Sequence, residues 1–245
     1  PFEPLTYAHA RSVWGPTRPI DPMTPSDPAA AARHIKVLGV GNLLWADEGF
    51  GVRCVEALGR DWEFPPEVEL LDGGTLGLAL IPLLQDATHV LLFDAVDYGG
   101  TPGALVVARD TEVPRFMTRD KMSLHQAGMN DVLASLEMLG HRPQAFSLIG
   151  VQPVELADYG GSLTAAVRDQ VPKALEIGLA ELATWGVVPT PRQHPQGTAV
   201  VSDAIAQGRY ETERPPEEVA WRKGDERFMA LRAAAQRTDD DGESR

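Results

Sequence analysis

The stretch Ile35–Gly51, IKVLGVGNLLWADEGFG, constrains the fold more than any other part of the chain. It predicts a buried strand over Ile35–Val40, a sharp turn at Gly39 and Gly41, and an amphipathic helix after the acidic pair Asp47–Glu48. A mostly apolar run that ends in glycine and is followed by a sequence with helical hydrophobic periodicity is typical of a βα unit. In an open parallel sheet, ligands bind outside the carboxyl ends of the strands. We therefore expect Glu48 to lie at the functional edge.

The rest of the core repeats this alternation of apolar strands and helices. Further strands are predicted at 68–71, 88–95, 103–109 and 145–151, and helices at 47–60, 77–85, 123–140 and 162–185. The near-continuous apolar run THVLLFDA predicts a third strand that is buried on both faces. Residues 97–102 are too few for a parallel crossover, so the fourth strand should be antiparallel and near an edge. The pattern predicts an α/β fold with a mainly parallel five-stranded sheet.

The two ends of the chain differ from this core, which we assign to residues 34–188. Residues 1–33 carry seven prolines and no apolar period, and proline disrupts both helices and inner strands. We interpret them as an extended arm. Residues 189–245 are mostly polar and form a C-terminal extension, with one charged helix predicted at 215–237.

Composition excludes several classes of function. The net charge of −13 argues against nucleic acid and anionic lipid as partners, because binding phosphate requires a basic face. No run of about 18 apolar residues exists, so the sequence predicts no membrane span. The single cysteine, Cys54, excludes an internal disulfide framework and a thiolate metal cage. We expect it to be a small buried side chain of the first helix.

Three polar side chains are predicted at strand ends or in the turns beside them. Glu48 follows the first strand, and Asp94 closes the third. His125 lies in the first turn of the third long helix, within the capping-box tetrapeptide Ser123–Gln126. The positive helix end disfavours imidazolium, so the ring should stay neutral. A neutral imidazole and two carboxylates form a plausible site for a borderline divalent ion with open positions for substrate or water.

Each of these residues also has a simpler interpretation. Glu48 can be a charge favoured by the helix dipole, and His125 a satisfied surface histidine. Three other acidic residues are alternative candidates for metal ligands. We assign Asp47 to the cap of the first helix, Asp97 to a solvated turn, and Asp72 to bracing its glycine turn. Asp94 is harder to dismiss, because an acid at the end of a buried strand is costly without a partner.

Other catalytic patterns fit poorly. The G-x-G beginning at Gly39 lacks the third glycine of a dinucleotide fingerprint, and the acidic residues after it would repel a pyrophosphate. No G-x-S-x-G elbow and no H-E-x-x-H zinc motif occur.

The motifs GVGNLLWADEGFGVR, LLDGGTLG, LLFDAVD, SLHQAG, DVLASLEMLG and LIGVQP occur in this order between about Ile35 and Val188. In order and spacing, the chain closely resembles the hydrogenase maturation endopeptidases. The resemblance implies a three-layer α/β/α sandwich around a twisted, mainly parallel sheet. It also implies that Glu48, Asp94 and His125 are the metal-contacting and catalytic positions. The DGGT motif recurs in the family, which implies a substrate-binding role for four adjacent residues: Asp72, Gly73, Gly74 and Thr75.

The resemblance further implies that the chain cuts a C-terminal extension from the large-subunit precursor of a nickel–iron hydrogenase after nickel has been inserted. The nickel would be the ion carried by the precursor, with another divalent ion as the alternative. We expect a cytoplasmic protein that is monomeric when free. An alternative function is a nickel-dependent recognition module that binds the large subunit without cutting it. A fainter alternative is a free-standing metallo-aminopeptidase.

Overall fold

A five-stranded sheet forms the centre of the chain. The computed structural model describes residues 33–117, 124–194 and 200–214. The sheet strands are β1 (Ile35–Val40), β3 (Val68–Gly74), β4 (His89–Ala95), β5 (Leu105–Arg109) and β6 (Ala145–Val151), in the spatial order β3-β1-β4-β6-β5. Two short strands, β2 (Trp62–Glu63) and β7 (Thr190–Pro191), form a separate antiparallel pair. The predicted sheet is confirmed.

The central strand β4 explains the long apolar run in the sequence. It pairs in parallel with β1 on one side and β6 on the other. Six of its seven residues are buried, as expected for a strand covered on both faces. The predicted exception to parallel pairing is also confirmed, because β5 pairs antiparallel with β6 at the end of the sheet.

Helices cover both faces of the sheet and complete the sandwich. They are α1 (Phe50–Asp61), α2 (Ile81–Leu84), α3 (Val113–Met117), α4 (Leu124–Met138), α5 (Ala165–Arg168), α6 (Val171–Thr184) and α7 (Gln207–Glu213). Short 3-10 turns occupy Ala46–Gly49, Gly77–Leu80 and Asp110–Glu112. One apolar core joins α1 and α6 to the odd-numbered face of β4, including Leu91 and Phe93. A second joins α2 and α4 to the opposite face, including Val90 and Leu92.

Several predicted bounds differ from the structure. The helices predicted at 47–60 and 77–85 each begin with a 3-10 turn, and the strand predicted at 103–109 begins at Leu105. The second sheet strand runs to Gly74 instead of ending at Leu71, because Asp72 and Gly74 still pair with the end of β1 across a register shift. The helix predicted at 162–185 is divided into α5 and α6. Pro172 lies at the start of α6, where its ring and missing N–H prevent a continuous helix from passing through it.

Part of the C-terminal extension packs against the core. Val201 is buried in a small cluster with Leu43 and Val52, and Arg192 N donates to Asp61 O at 2.8 Å. The predicted arm, apart from Arg33, and the helix predicted at 215–237 lie outside the described residues. Within the described ranges, the helices are all too short or too polar to cross a bilayer.

Candidate active site

The side chain of Asp94 lies at the carboxyl end of the central strand. It is fully buried, and its Cα pairs in register with Gly150 of β6. Successive side chains of a strand alternate between faces, so Asp94 projects from the same face as Val90 and Leu92. That face is covered by α4. The sequence therefore located this acid correctly at the edge of the sheet.

Glu48 lies in the 3-10 turn Ala46–Gly49, between β1 and α1. The chain reverses at Gly41, whose φ is 124°, a conformation that side-chain-bearing residues rarely adopt. A Cβ at this position would lie 1.8 Å from the carbonyl oxygen of Glu48, so only glycine permits this tight return. The turn approaches β4 within 8 Å between Cα atoms. The fold thus brings the turn that carries the half-buried Glu48 close to the strand that carries Asp94.

Asp47 does not cap the first helix, and the prediction that it does is wrong. Gly49 precedes α1 without a side-chain cap. The fully buried carboxylate of Asp47 instead accepts from four donors: Val154 N (2.9 Å), Glu155 N (3.0 Å), Thr164 N (2.7 Å) and Thr164 Oγ1 (3.1 Å). Donated hydrogen bonds offset the cost of burying a carboxylate. Asp47 therefore fastens the loop after β6 to the turn that carries Glu48.

The DGGT motif, residues 72–75, contains the end of β3 and a hydrogen bond that stabilises the turn after it. Asp72 Oδ1 accepts from Gly74 N at 2.9 Å, which confirms the predicted brace. Burial raises the pKa of Asp72 above its usual value, although the nearby positive charge of Arg53 opposes that shift. Gly73 is buried, whereas Thr75 is exposed. The predicted substrate-binding role of the motif stays a prediction.

His125 is the second residue of α4, as predicted, but its side chain lies outside the described part. The helix packs through Met129, Val132 and Leu136 on the face from which Asp94 projects. The backbone of the His125 segment thus belongs to the layer that Asp94 faces. Among the described side chains, which exclude that of His125, no three carboxylate, imidazole or thiol groups form a metal cluster. The three-residue metal set stays a prediction.

Gln152 organises the loop after β4 and was missed at the sequence level. Its Oε1 accepts from Tyr98 N at 3.1 Å and Gly100 N at 2.9 Å, and its Nε2 donates to Asp97 Oδ1 at 2.9 Å. Asp97 lies in a turn, as predicted, but its carboxylate is engaged by a side chain from another strand end. The sequence signals for Gln152 are its place directly after β6 and its position in the LIGVQP motif.

Known proteins resemble this chain over most of its length. The profile of the HycI hydrogenase maturation protease family matches residues 52–181. The hydrogenase expression/formation protein HupM of Azotobacter chroococcum is 53% identical over 85% of this chain and 97% of its own. The hydrogenase 2 maturation protease of Escherichia coli is 43% identical over 65% of this chain and 97% of its own. The solved structure of the E. coli endopeptidase HybD matches with a TM-score of 0.62 at 42% identity, covering 65% of this chain and 98% of its own. This chain therefore belongs to the hydrogenase maturation protease family.

Proposed function

We propose that this protease removes a C-terminal peptide from the large-subunit precursor of a nickel–iron hydrogenase, and that Glu48, Asp94 and His125 contact the nickel carried by that precursor. Membership in the family supports the hydrolysis of a hydrogenase precursor. The observation that carries the choice of site is the fully buried Asp94 at the end of the central strand, beside the turn of Glu48.

The donor set suits this role. Two carboxylates and one imidazole can bind a borderline divalent ion and leave positions for ligands from the partner protein. A divalent ion beside a scissile bond polarises its carbonyl and lowers the pKa of bound water. If the nickel belongs to the substrate, cleavage depends on nickel loading without a long recognition sequence. Another divalent ion in its place is the alternative, and the following comparison distinguishes the two.

The central experiment mixes the protein with nickel-loaded and with nickel-free precursor and measures the mass of the large subunit. We expect shortening of the nickel-loaded subunit alone. Equal cleavage of both forms would refute gating by nickel. Stable co-purification without shortening would instead favour the recognition module.

Three single variants test the site. Glu48→Gln, Asp94→Asn and His125→Ala should each lower the rate of processing at least about a hundredfold, because each removes one predicted metal contact. Circular dichroism should show that the fold is retained. Glu176→Gln, at an exposed position of α6 paired with Lys173, is the control and should process normally. Full activity in any of the three variants would remove that residue from the site.

The cytoplasmic location and the monomeric free state stay predictions. Cell fractionation tests the first, and size-exclusion chromatography with light scattering tests the second.

A further inference from the structure

Residues 153–164, here called the β6 loop, are attached to the Glu48 turn by side chain and backbone together. The four hydrogen bonds of the Asp47 carboxylate all go to this loop. Asp47 N also donates to Glu155 O at 3.1 Å, and Gly160 N donates to Leu44 O at 2.7 Å. The rings of Trp45 and Tyr159 pack edge to face, with centroids 5.3 Å apart. The position of the turn therefore depends on the position of the loop.

Residues 200–214, here called the strap, make hydrogen bonds to the β6 loop as well. Tyr210 Oη donates to Gly161 O at 3.2 Å. Ser162 Oγ donates to Glu211 Oε1 at 2.6 Å. Arg214 Nη1 reaches Gly160 O at 3.4 Å. These contacts join α7 and the residue that follows it to three consecutive residues of the loop.

The strap is also attached to α1, the helix that follows the Glu48 turn. Arg53 Nη1 donates to Ile205 O at 2.8 Å, and Gln207 N donates to Glu56 Oε1 at 2.8 Å. The guanidinium of Arg53 lies 5.5 Å from the ring centroid of Tyr210. Arg53 and Glu56 are both almost fully buried and form an ion pair. Buried charges need hydrogen-bonding partners. The strap supplies two of them to α1, the carbonyl of Ile205 for Arg53 and the N–H of Gln207 for Glu56.

We propose that the strap and Asp47 form a positioning device, which holds the Glu48 turn in the geometry required for cleavage of the precursor. The contacts close a ring that runs from the turn through α1, the strap, the β6 loop and Asp47 back to the turn. Asp47 is a positioning residue because its carboxylate contacts the loop and acts on the reaction through its neighbour Glu48. This inference rests on the function proposed above for Glu48.

The kinetic consequence separates positioning from binding. A reacting group displaced by about 1 Å can lose up to about a hundredfold in rate while the substrate still binds. A positioning defect therefore lowers kcat and leaves KM nearly unchanged. A surface that only docked the precursor would do the opposite.

The first experiment measures hydrogen exchange in the whole chain and needs no activity. The double variant Ser162→Ala/Tyr210→Phe removes two hydrogen bonds between strap and loop. We expect the amides of Val154, Glu155 and Thr164 to exchange about tenfold faster than in wild type, because the loop opens more often. The control is Arg209→Gln/Glu213→Gln, which removes an exposed ion pair within α7 and should leave these amides unchanged. Unchanged exchange in the double variant would overturn the proposal.

The second experiment measures cleavage of the nickel-loaded precursor by the same variants and by Asp47→Asn. We expect kcat to fall at least about tenfold in the strap double variant and in Asp47→Asn, with KM within about twofold of wild type. Raised KM with unchanged kcat, or unchanged values of both, would overturn the proposal. If Asp47→Asn does not fold, the double variant alone decides.

The outcomes also separate this inference from the function on which it rests. If wild-type protein leaves the nickel-loaded precursor uncut, the proposed function fails, and the exchange experiment still decides whether the strap holds the loop. If wild type and the Arg209/Glu213 control cut the precursor and the strap variant does so equally well, only the positioning device is refuted.

Discussion

Replacing Gly51 with alanine tests how closely α1 approaches the sheet. A Cβ at this position would lie 2.1 Å from the carbonyl oxygen of Phe93 and 2.4 Å from that of Val40. Both atoms belong to the backbone of buried strands, so no side chain can rotate away. The helix would have to retreat by roughly 1 Å to restore ordinary contact distances. Because the Glu48 turn leads directly into α1, that movement would displace Glu48 as well.

The expected loss of stability follows from two opposing effects. Overpacking of a rigid core costs about 3 kcal/mol at the upper end of its common range. Alanine offsets about 1 kcal/mol of this through its better helix propensity. The net loss in the free energy of unfolding should therefore be about 2 kcal/mol, which corresponds to roughly 1 M in the urea midpoint.

Urea denaturation followed by circular dichroism measures this loss. Gly208→Ala is the matched control, since Gly208 also lies in a helix but a Cβ there would meet no atom within 4 Å. It should gain about 0.5 kcal/mol or slightly more. A wild-type midpoint for Gly51→Ala, together with wild-type cleavage, would refute the close approach of helix and strands and its role in positioning Glu48.

Two further predictions concern charged pairs. Arg53→Met should lower the free energy of unfolding by about 3 kcal/mol, because it leaves the buried Glu56 carboxylate without its cation. The control Lys173→Met, in an exposed pair, should lower it by less than about 0.5 kcal/mol. Equal losses for the two variants in urea titrations would contradict the prediction. The hydrogen bond and charge of Arg109 lower the pKa of Glu181 below its usual value, so the stability from this pair is present above the unfolded-state pKa and is lost as the pH falls through the folded one. Arg109→Gln should therefore be less stable than wild type at neutral pH, and the difference should disappear at a pH below the lowered folded-state pKa of Glu181. A difference that persists unchanged in thermal melts at that pH would contradict the assignment.

The sequence by itself determined the elements of the fold. A short apolar run bounded by turn residues favours a buried strand, and the bounds of β1 and β6 were predicted to the residue. The connection before β5 is too short for a parallel crossover, so the sequence also predicted the antiparallel direction of this strand. Asp94 was predicted at the carboxyl end of the third strand, and the structure places it there, because the end of a buried strand is a local feature of the sequence.

Tertiary structure alone decided the roles of neighbouring acids. Asp47 and Glu48 are adjacent in sequence and both suit the start of a helix, yet Asp47 is fully buried and bound to residues more than a hundred positions away. The partners of Gln152 and the attachment of the strap to Arg53 also connect distant segments. No periodicity or local propensity encodes such contacts, because they exist only once separate strands and loops have been brought to the same edge of the sheet.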